Sequence, residues 1–193
     1  MGLDSVELLV RFERYFEIEV PDAVAEKIFT PGDAAAWVCQ CLRIATDGLS
    51  PCRKTVEQQL QTLFVNHTSV ADTRLSELLP TGEVWAQYAQ QLADQTGWQL
   101  PEIGWLRPPR ARGWLNQLFN WVTTSTPPDP NLYRFTDLID WTLARNYELL
   151  LTKPWQSRYE VLQAIIGITS DSSGVEVSDI KPNSRFVYDL GID

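Results

Sequence analysis

The chain has 193 residues, 44% of them hydrophobic, so it is long and apolar enough to fold around one or two cores. Its formal net charge of −9 at pH 7 argues against binding to nucleic acid or to an anionic membrane surface. No run reaches the roughly 18 apolar residues of a membrane span, and no basic segment followed by an apolar one stands at the start, so we expect a cytoplasmic protein.

The three cysteines, Cys39, Cys41 and Cys52, are too few and too irregularly spaced for a disulfide framework. Cys39 and Cys41 could ligate zinc only with further ligands, and the single His67 leaves such a site incomplete. We therefore interpret the cysteines as small buried or half-buried thiols and expect no metal site.

Helical spacing of apolar residues dominates the sequence, and no segment alternates apolar and polar residues for long enough to require a sheet. A first helix is predicted to begin at Asp4 or Ser5 and to end near Glu17, because both starting residues are good helix caps. Further helices are predicted at about residues 30–47, 53–66, 83–95, 136–150 and 158–167. A polar loop over 169–174 and a terminal segment without a long helix should follow.

A stretch rich in Pro, Trp and Arg interrupts this pattern at about residues 101–131. Aromatic residues among arginines can bind nucleic acid, but the rest of the chain is acidic and the cluster is short. We therefore interpret the stretch as an insertion packed on the helices. Its basic and aromatic members are Arg107, Arg110, Arg112, Trp105, Trp114 and Trp121.

The sequence contains a partial internal repeat, in which residues 29–37 parallel residues 133–141 with an aspartate and a tryptophan matched in each. A helix precedes the second copy at about 53–66, but nothing corresponds to it ahead of the first copy. The missing helix lies near the other end of the chain, over 158–167. Because an amphipathic helix cannot hide its apolar face alone, residues 158–193 are predicted to pack with residues 1–45.

Two groups of motifs, one at each end of the chain, resemble the acyl carrier protein family, the four-helix carriers of fatty acid and polyketide synthesis. The N-terminal group is Gly2-Leu3-Asp4-Ser5-Val6-Glu7-Leu8, Phe16-Glu17-Ile18-Glu19-Val20-Pro21-Asp22 and Thr30-Pro31-Gly32-Asp33. The C-terminal group is Val161-Leu162-Gln163-Ala164-Ile165-Ile166, Ile180-Lys181-Pro182-Asn183-Ser184-Arg185-Phe186 and Asp189-Leu190-Gly191-Ile192-Asp193.

The resemblance implies an all-α fold with two four-helix acyl-carrier-like bundles. One bundle would combine residues 1–48 with 155–193, and residues 51–152 would form a degenerate carrier-like unit that includes the insertion. The two motif groups of one bundle thus stand at opposite ends of the chain. Three explanations of this separation remain open: a circular permutation, a dimer that exchanges halves between chains, and a fragment of a longer repeating protein.

In this family the serine after the aspartate carries 4′-phosphopantetheine, which implies attachment at Ser5, preceded by Asp4. The free N–H groups and dipole of a helix N-terminus favour a phosphodiester there. Val6 departs from the leucine that is usual in the family. The counterpart of Ser5 in the middle unit falls near Gly82 or Trp85, neither of which offers a hydroxyl.

The implied partners are a phosphopantetheinyl transferase and acyl-processing enzymes, and the chain itself is not expected to be an enzyme. Acidic residues over 7–26 would form the face that those enzymes recognise, or an ordinary solvated surface. The alternative function is a carrier-like helical interaction module without the arm. A hydrolase using Ser5 with His67 is disfavoured, because the single histidine belongs to the other unit.

Overall fold

Helices form where the sequence spaces apolar residues at three- and four-residue intervals, and the prediction of an all-helical protein is confirmed. The computed structural model describes residues 3–48, 50–64, 73–79, 81–106 and 129–192. The helices in these ranges are α1 (Leu3–Phe16), α2 (Asp22–Ala25), α3 (Pro31–Leu42), α4 (Pro51–Leu63), α5 (Leu75–Leu78), α6 (Gly82–Thr96), α7 (Phe135–Arg145), α8 (Tyr147–Leu150) and α9 (Arg158–Ser173). No helix in the described ranges is long and apolar enough to span a membrane.

The start of α3 follows the sequence closely, whereas its end does not. Thr30 and Asp33 form a reciprocal cap, in which the Thr30 Oγ1 accepts from the Asp33 N–H at 3.1 Å and the Asp33 carboxylate accepts from the Thr30 N–H at 3.0 Å. The helix was predicted to continue to about Asp47 but stops at Leu42. Arg43 adopts a left-handed conformation there, with φ 56°, and terminates the hydrogen-bonding pattern.

Helix α9 is the central element, since α1, α3, α7 and α8 all pack against it. It extends to Ser173, beyond the predicted end at Gly167, so the prediction of a polar loop at Thr169 is wrong. The Thr169 hydroxyl donates to the Ile165 carbonyl at 2.7 Å, and the Ser170 hydroxyl donates to the Val175 carbonyl at 2.7 Å. With their hydroxyls satisfied by backbone carbonyls, both residues are buried inside the helix.

The single helix predicted over 136–150 is divided into α7 and α8 at Asn146. The buried Asn146 side chain donates to the Gln99 carbonyl at 2.7 Å and accepts from the Gln99 N–H at 2.8 Å. It also donates to the Thr142 carbonyl at 2.8 Å. The Asn146 side chain therefore binds the backbone of the segment after α6, and the helix is interrupted at this residue.

Helices in the middle of the chain also pack against one another. Helix α4 packs against α6 and α7, and the loop before α5 is bonded to the start of α7. The Leu75 N–H donates to the Tyr133 carbonyl, and the Phe135 N–H donates to the Thr73 carbonyl, both at 3.0 Å. Buried apolar side chains of α1, α3, α4, α6, α7 and α9 belong to one continuous core. The predicted division of the chain near residues 48–51 and 152–155 remains a prediction.

Candidate functional site

Ser5 lies in the first turn of α1, two residues after the described start of the helix. The buried stripe of this helix runs through Leu8, Phe12 and Phe16, and Ser5 precedes it at the same helical spacing. The stripe reaches the surface at this end, so Ser5 is half-buried, while the neighbouring Asp4 is exposed. The geometry thus presents a serine near the electropositive end of a helix of 14 residues.

Ser5 opens onto a groove of about 420 Å³ whose walls come from three separate parts of the chain. The first helix contributes Ser5 itself. The lining residues from the end of α2 and the turn after it are Ala25, Glu26, Ile28 and Phe29, and those from the segment after α9 are Arg185, Phe186, Val187 and Tyr188.

The segment after α9, residues 185–188, forms the C-terminal wall of this groove. Backbone hydrogen bonds hold this wall and the residues just before it against the start of α3. The Phe186 N–H donates to the Phe29 carbonyl at 3.0 Å, and the Gly32 N–H donates to the Pro182 carbonyl at 2.7 Å. An added Cβ on Gly32 would lie 2.8 Å from that carbonyl oxygen, so the approach requires a glycine. Segments from the two ends of the chain therefore meet beside Ser5.

The C-terminal wall is folded on itself by a short series of turns. The Asp189 carboxylate accepts from the Arg185 N–H at 2.7 Å, and the Ile192 N–H donates to the Phe186 carbonyl at 2.8 Å. Phe186 and Ile192 are buried in the core. This anchoring turns the intervening Tyr188 outward, where it is 80% exposed.

The rim of the groove combines exposed apolar side chains with one cation. Phe29 is 58% exposed and Val6 lies next to Ser5 on the exposed side of α1. The Arg185 guanidinium stands over the Tyr188 ring, 5.5 Å from its centroid. Exposed apolar surface of this kind is typical of contact sites for other molecules.

Part of the acidic stretch over 7–26 is used within the chain. Glu7 pairs with Arg11 at 3.0 Å, the Glu13 carboxylate accepts from the Val20 N–H at 2.7 Å, and Glu17 pairs with Lys153. A face made only of free carboxylates is therefore not present. Among these acidic residues, Glu26 lines the Ser5 groove.

The residues at Ser5 suit the phosphodiester of a phosphopantetheine arm. A phosphodiester anion at this position would lie in the first turn of α1, near the positive end of the helix dipole. Arg185 lines the same groove and is the cation on its C-terminal wall. Ser5 and Asp4 could be predicted from the sequence, whereas Phe29, Arg185 and Tyr188 could not, because only the folded chain brings these segments together.

Most of the other residues singled out in the sequence lie outside the described part of the chain, and none of the described ones lines the Ser5 groove. His67, Arg107, Arg110, Arg112, Trp114 and Trp121 lie outside the described residues, as does the side chain of Trp105. Cys39 is buried, Cys41 exposed and Cys52 half-buried, and all three are free thiols. Burial raises the pKa of the Cys39 thiol. In the described ranges, no three potential metal ligands lie together.

Helices α1 and α6 end in the same way. Glu17 and Gly97 follow α1 and α6 in left-handed conformations, with φ 54° and 75°, and they are 80 residues apart. Ser5 and Trp85 have the same separation, and Trp85 is buried. If α6 corresponds to α1, this spacing favours Trp85 over Gly82 as the counterpart of Ser5; the correspondence itself stays a prediction.

Comparison with known proteins finds local similarity to acyl carrier proteins. The chain is 50% identical over 39 residues to the acyl carrier protein of Caulobacter vibrioides, and 59% identical over 39 residues to that of Picosynechococcus. These matches cover 20% of this chain and 50% and 48% of the two relatives, so the chain spans about half the length of the curated relatives it matches. No family model and no solved structure matches. The chain thus contains an acyl-carrier-like region.

Proposed function

We propose that this protein is an acyl carrier that holds acyl groups as thioesters on a 4′-phosphopantetheine arm attached to Ser5. The observation that carries the proposal is the position of Ser5, half-exposed in the first turn of α1 and facing a groove. The local similarity to acyl carrier proteins supports it independently. Residues 51–152 would be a degenerate carrier-like unit without an attachment site, in line with the buried Trp85.

Attachment would follow the chemistry of a phosphopantetheinyl transferase acting on coenzyme A. The Ser5 Oγ loses its proton and forms a bond to the phosphorus that bears the pantetheine, while the bond from that phosphorus to the nucleotide half of coenzyme A breaks. The terminal thiol of the arm then attacks the acyl carbonyl of an activated acyl donor, so that the thioester forms while the S–H bond and the donor's bond to its leaving group break. The chain supplies presentation rather than catalysis, and its partners would be the transferase and acyl-processing enzymes of the cytoplasm.

The test is incubation of the full chain with a phosphopantetheinyl transferase and coenzyme A, followed by intact mass measurement. The wild type is expected to gain the mass of one phosphopantetheine, and Ser5→Ala to gain none. Ser76→Ala is the matched control, because Ser76 is also half-buried near a helix start, where its hydroxyl donates to the Asn131 side chain at 3.0 Å. An unchanged mass for the folded wild type would instead favour the interaction module without an arm.

A further inference from the structure

A second groove, of about 310 Å³, lies between α7, α9 and the loop over residues 177–182. It shares no lining residue with the Ser5 groove. Its volume is at the lower end of the range of small-molecule sites, so it suits a ligand of few atoms. Aliphatic side chains from α9 and from the loop form part of its walls: Leu162, Ile166, Val177 and Ile180.

Three half-buried aromatic side chains, Tyr133, Trp141 and Tyr159, also line the groove. The ring centroids of Tyr133 and Trp141 lie 5.0 Å apart, and the ring planes are inclined by 66°. Two rings at this angle form a corner, so one bound group can contact both of them. The faces of aromatic rings carry partial negative charge and attract cations, most strongly at tryptophan.

Carboxylates lie beside this aromatic corner. Asp137 and Asp140 of α7 line the groove, and both are half-buried. Burial raises the pKa of Tyr133, and the carboxylates of Asp179 and Asp137 raise it further. The electrostatic potential at the Tyr133 ring is therefore negative, which favours a positively charged ligand.

Two cations of the chain only partly balance these carboxylates. The Arg53 Nε donates to Asp140 at 3.4 Å, but the Arg53 guanidinium also lies 3.9 Å from the Glu57 carboxylate. Asp137 accepts a hydrogen bond from a backbone N–H, which is neutral and leaves the carboxylate charged. Lys181 lines the groove but is exposed, so water and salt screen its charge. The charge balance at the groove thus remains negative.

We propose that this groove binds a small, free organic cation whose alkylated ammonium group lies in the corner between Tyr133 and Trp141, beside the carboxylates. An alkylated ammonium is weakly hydrated and can contact aromatic faces and aliphatic side chains at once. A small inorganic cation fits less well, because the apolar walls cannot replace its hydration shell. An anion would be repelled by Asp137 and Asp140. The proposal does not depend on attachment at Ser5.

The test is titration of the ¹⁵N-labelled full chain with three probes of similar shape and different charge, followed by NMR. The probes are choline, the neutral alcohol in which carbon replaces the choline nitrogen, and the anion in which a carboxylate replaces the hydroxymethyl group of that alcohol. Choline is expected to shift the Trp141 indole N–H resonance and to bind about fivefold to thirtyfold more tightly than the alcohol. The anion should bind more weakly than the alcohol. Equal affinity for choline and the alcohol, or no shift at Trp141, would overturn the proposal.

Two variants assign the effect to this groove. Trp141→Leu removes one ring of the corner, together with its indole resonance, and should reduce the preference for choline over the alcohol. Lys181→Gln removes the exposed cation from the lining and should tighten choline binding about twofold to threefold without changing the binding of the alcohol. This exposed substitution serves if Trp141→Leu does not fold.

Lys27→Gln is the matched control for Lys181→Gln. It makes the same change in net charge at an exposed position outside the groove lining, so choline binding should stay as in the wild type. An undiminished preference for choline in Trp141→Leu, or equal choline affinity in Lys181→Gln and Lys27→Gln, would contradict the assignment.

Discussion

The backbone N–H of Gly32 donates a 2.7 Å hydrogen bond to the carbonyl oxygen of Pro182, joining two residues 150 positions apart in the chain. Gly32 lies at the start of α3 and Pro182 in the segment that forms the C-terminal wall of the Ser5 groove. This contact fixes that wall relative to the N-terminal helices, so its integrity is expected to determine the shape of the groove.

Gly32→Ala should therefore destabilise the fold. The new methyl group would lie 2.8 Å from the Pro182 oxygen, which forces the two segments apart and weakens the hydrogen bond. We expect a loss of about 1–3 kcal/mol in the free energy of unfolding, measured by urea denaturation. Gly104→Ala is the control, since nothing lies within 4 Å of a Cβ there. Equal stability of the two variants would contradict the close contact.

Tyr15→Phe should loosen the packing of α1 on α8. The Tyr15 hydroxyl, in the last turns of α1, is 2.6 Å from the Leu151 carbonyl oxygen and 3.2 Å from the Tyr147 carbonyl oxygen. Burial, and secondarily the Glu148 carboxylate, raises the pKa of Tyr15, so the phenol remains a donor in alkaline solution. We expect a loss of about 1 kcal/mol in thermal or urea unfolding. Attachment of phosphopantetheine at Ser5 should be retained. If Tyr15→Phe is as stable as the wild type, these hydrogen bonds contribute nothing to the free energy of unfolding.

Asp140 should make stability depend on pH. Burial raises the pKa of its carboxyl, and the hydrogen bond from Tyr159 and the charge of Arg53 only partly oppose this. Above the ordinary pKa of 3.8, the folded state retains this proton after the unfolded state has released it, so the contribution of Asp140 to stability falls as pH rises through the raised pKa.

Asp140→Asn removes that titration. The wild type should become less stable relative to Asp140→Asn as pH increases from 3.8 towards neutrality. Urea midpoints at several pH values measure it, and the exposed Asp22→Asn provides the comparison. A difference that is constant across this range would rule out a raised pKa.

Tyr188→Ser should affect partner recognition without affecting the fold. The Tyr188 side chain is 80% exposed, and its described contact is with the Arg185 guanidinium. We expect unfolding to change by no more than about 0.5 kcal/mol. Loading by the transferase should slow several-fold, whereas Leu149→Ser, at an exposed apolar position outside the groove lining, should load normally. Normal loading of Tyr188→Ser would remove this residue from the contact surface.

The chain should be monomeric in dilute solution. Within one chain, α1 and α3 already pack against α9, so exchange of halves with a second copy would add no contact that is missing. Sedimentation equilibrium is expected to give the mass of one chain, 22.0 kDa. A stable species of twice that mass would favour the half-exchange dimer.

Features of this fold that depend on neighbouring residues could be predicted from the sequence, whereas features that depend on residues far apart in the chain could not. The start of α3 could be predicted, because Thr30 and Pro31 encode a capped helix in adjacent positions. The break at Asn146 could not, because the backbone that its amide binds, at Gln99, lies 47 positions away. Likewise, the polar side chain of Thr169 led to the prediction of a loop. The hydrogen bond from its hydroxyl to the Ile165 carbonyl, which lets it lie inside a buried helix, could not be read from the sequence.

The candidate site likewise combines a local feature that could be predicted from the sequence with contacts between distant segments that could not. Ser5 was identified from a local motif, since its neighbours and its place at a helix start are encoded together. The wall formed by Arg185 and Tyr188 depends on how the turns over residues 184–192 dock beside Phe29, which no spacing rule specifies.

The central position of α9 sets an order for folding during synthesis. The helices that pack against it, α1, α3, α7 and α8, all leave the ribosome earlier. The faces of α1 and α3 that pack against α9 remain exposed to water until residues 158–173 have been made, a condition that favours aggregation or capture by chaperones, whereas α4, α6 and α7 can already contact one another. A nascent chain stalled before Arg158 should therefore be sensitive to proteases over α1 and α3, and protection of these two helices should arrive once α9 emerges.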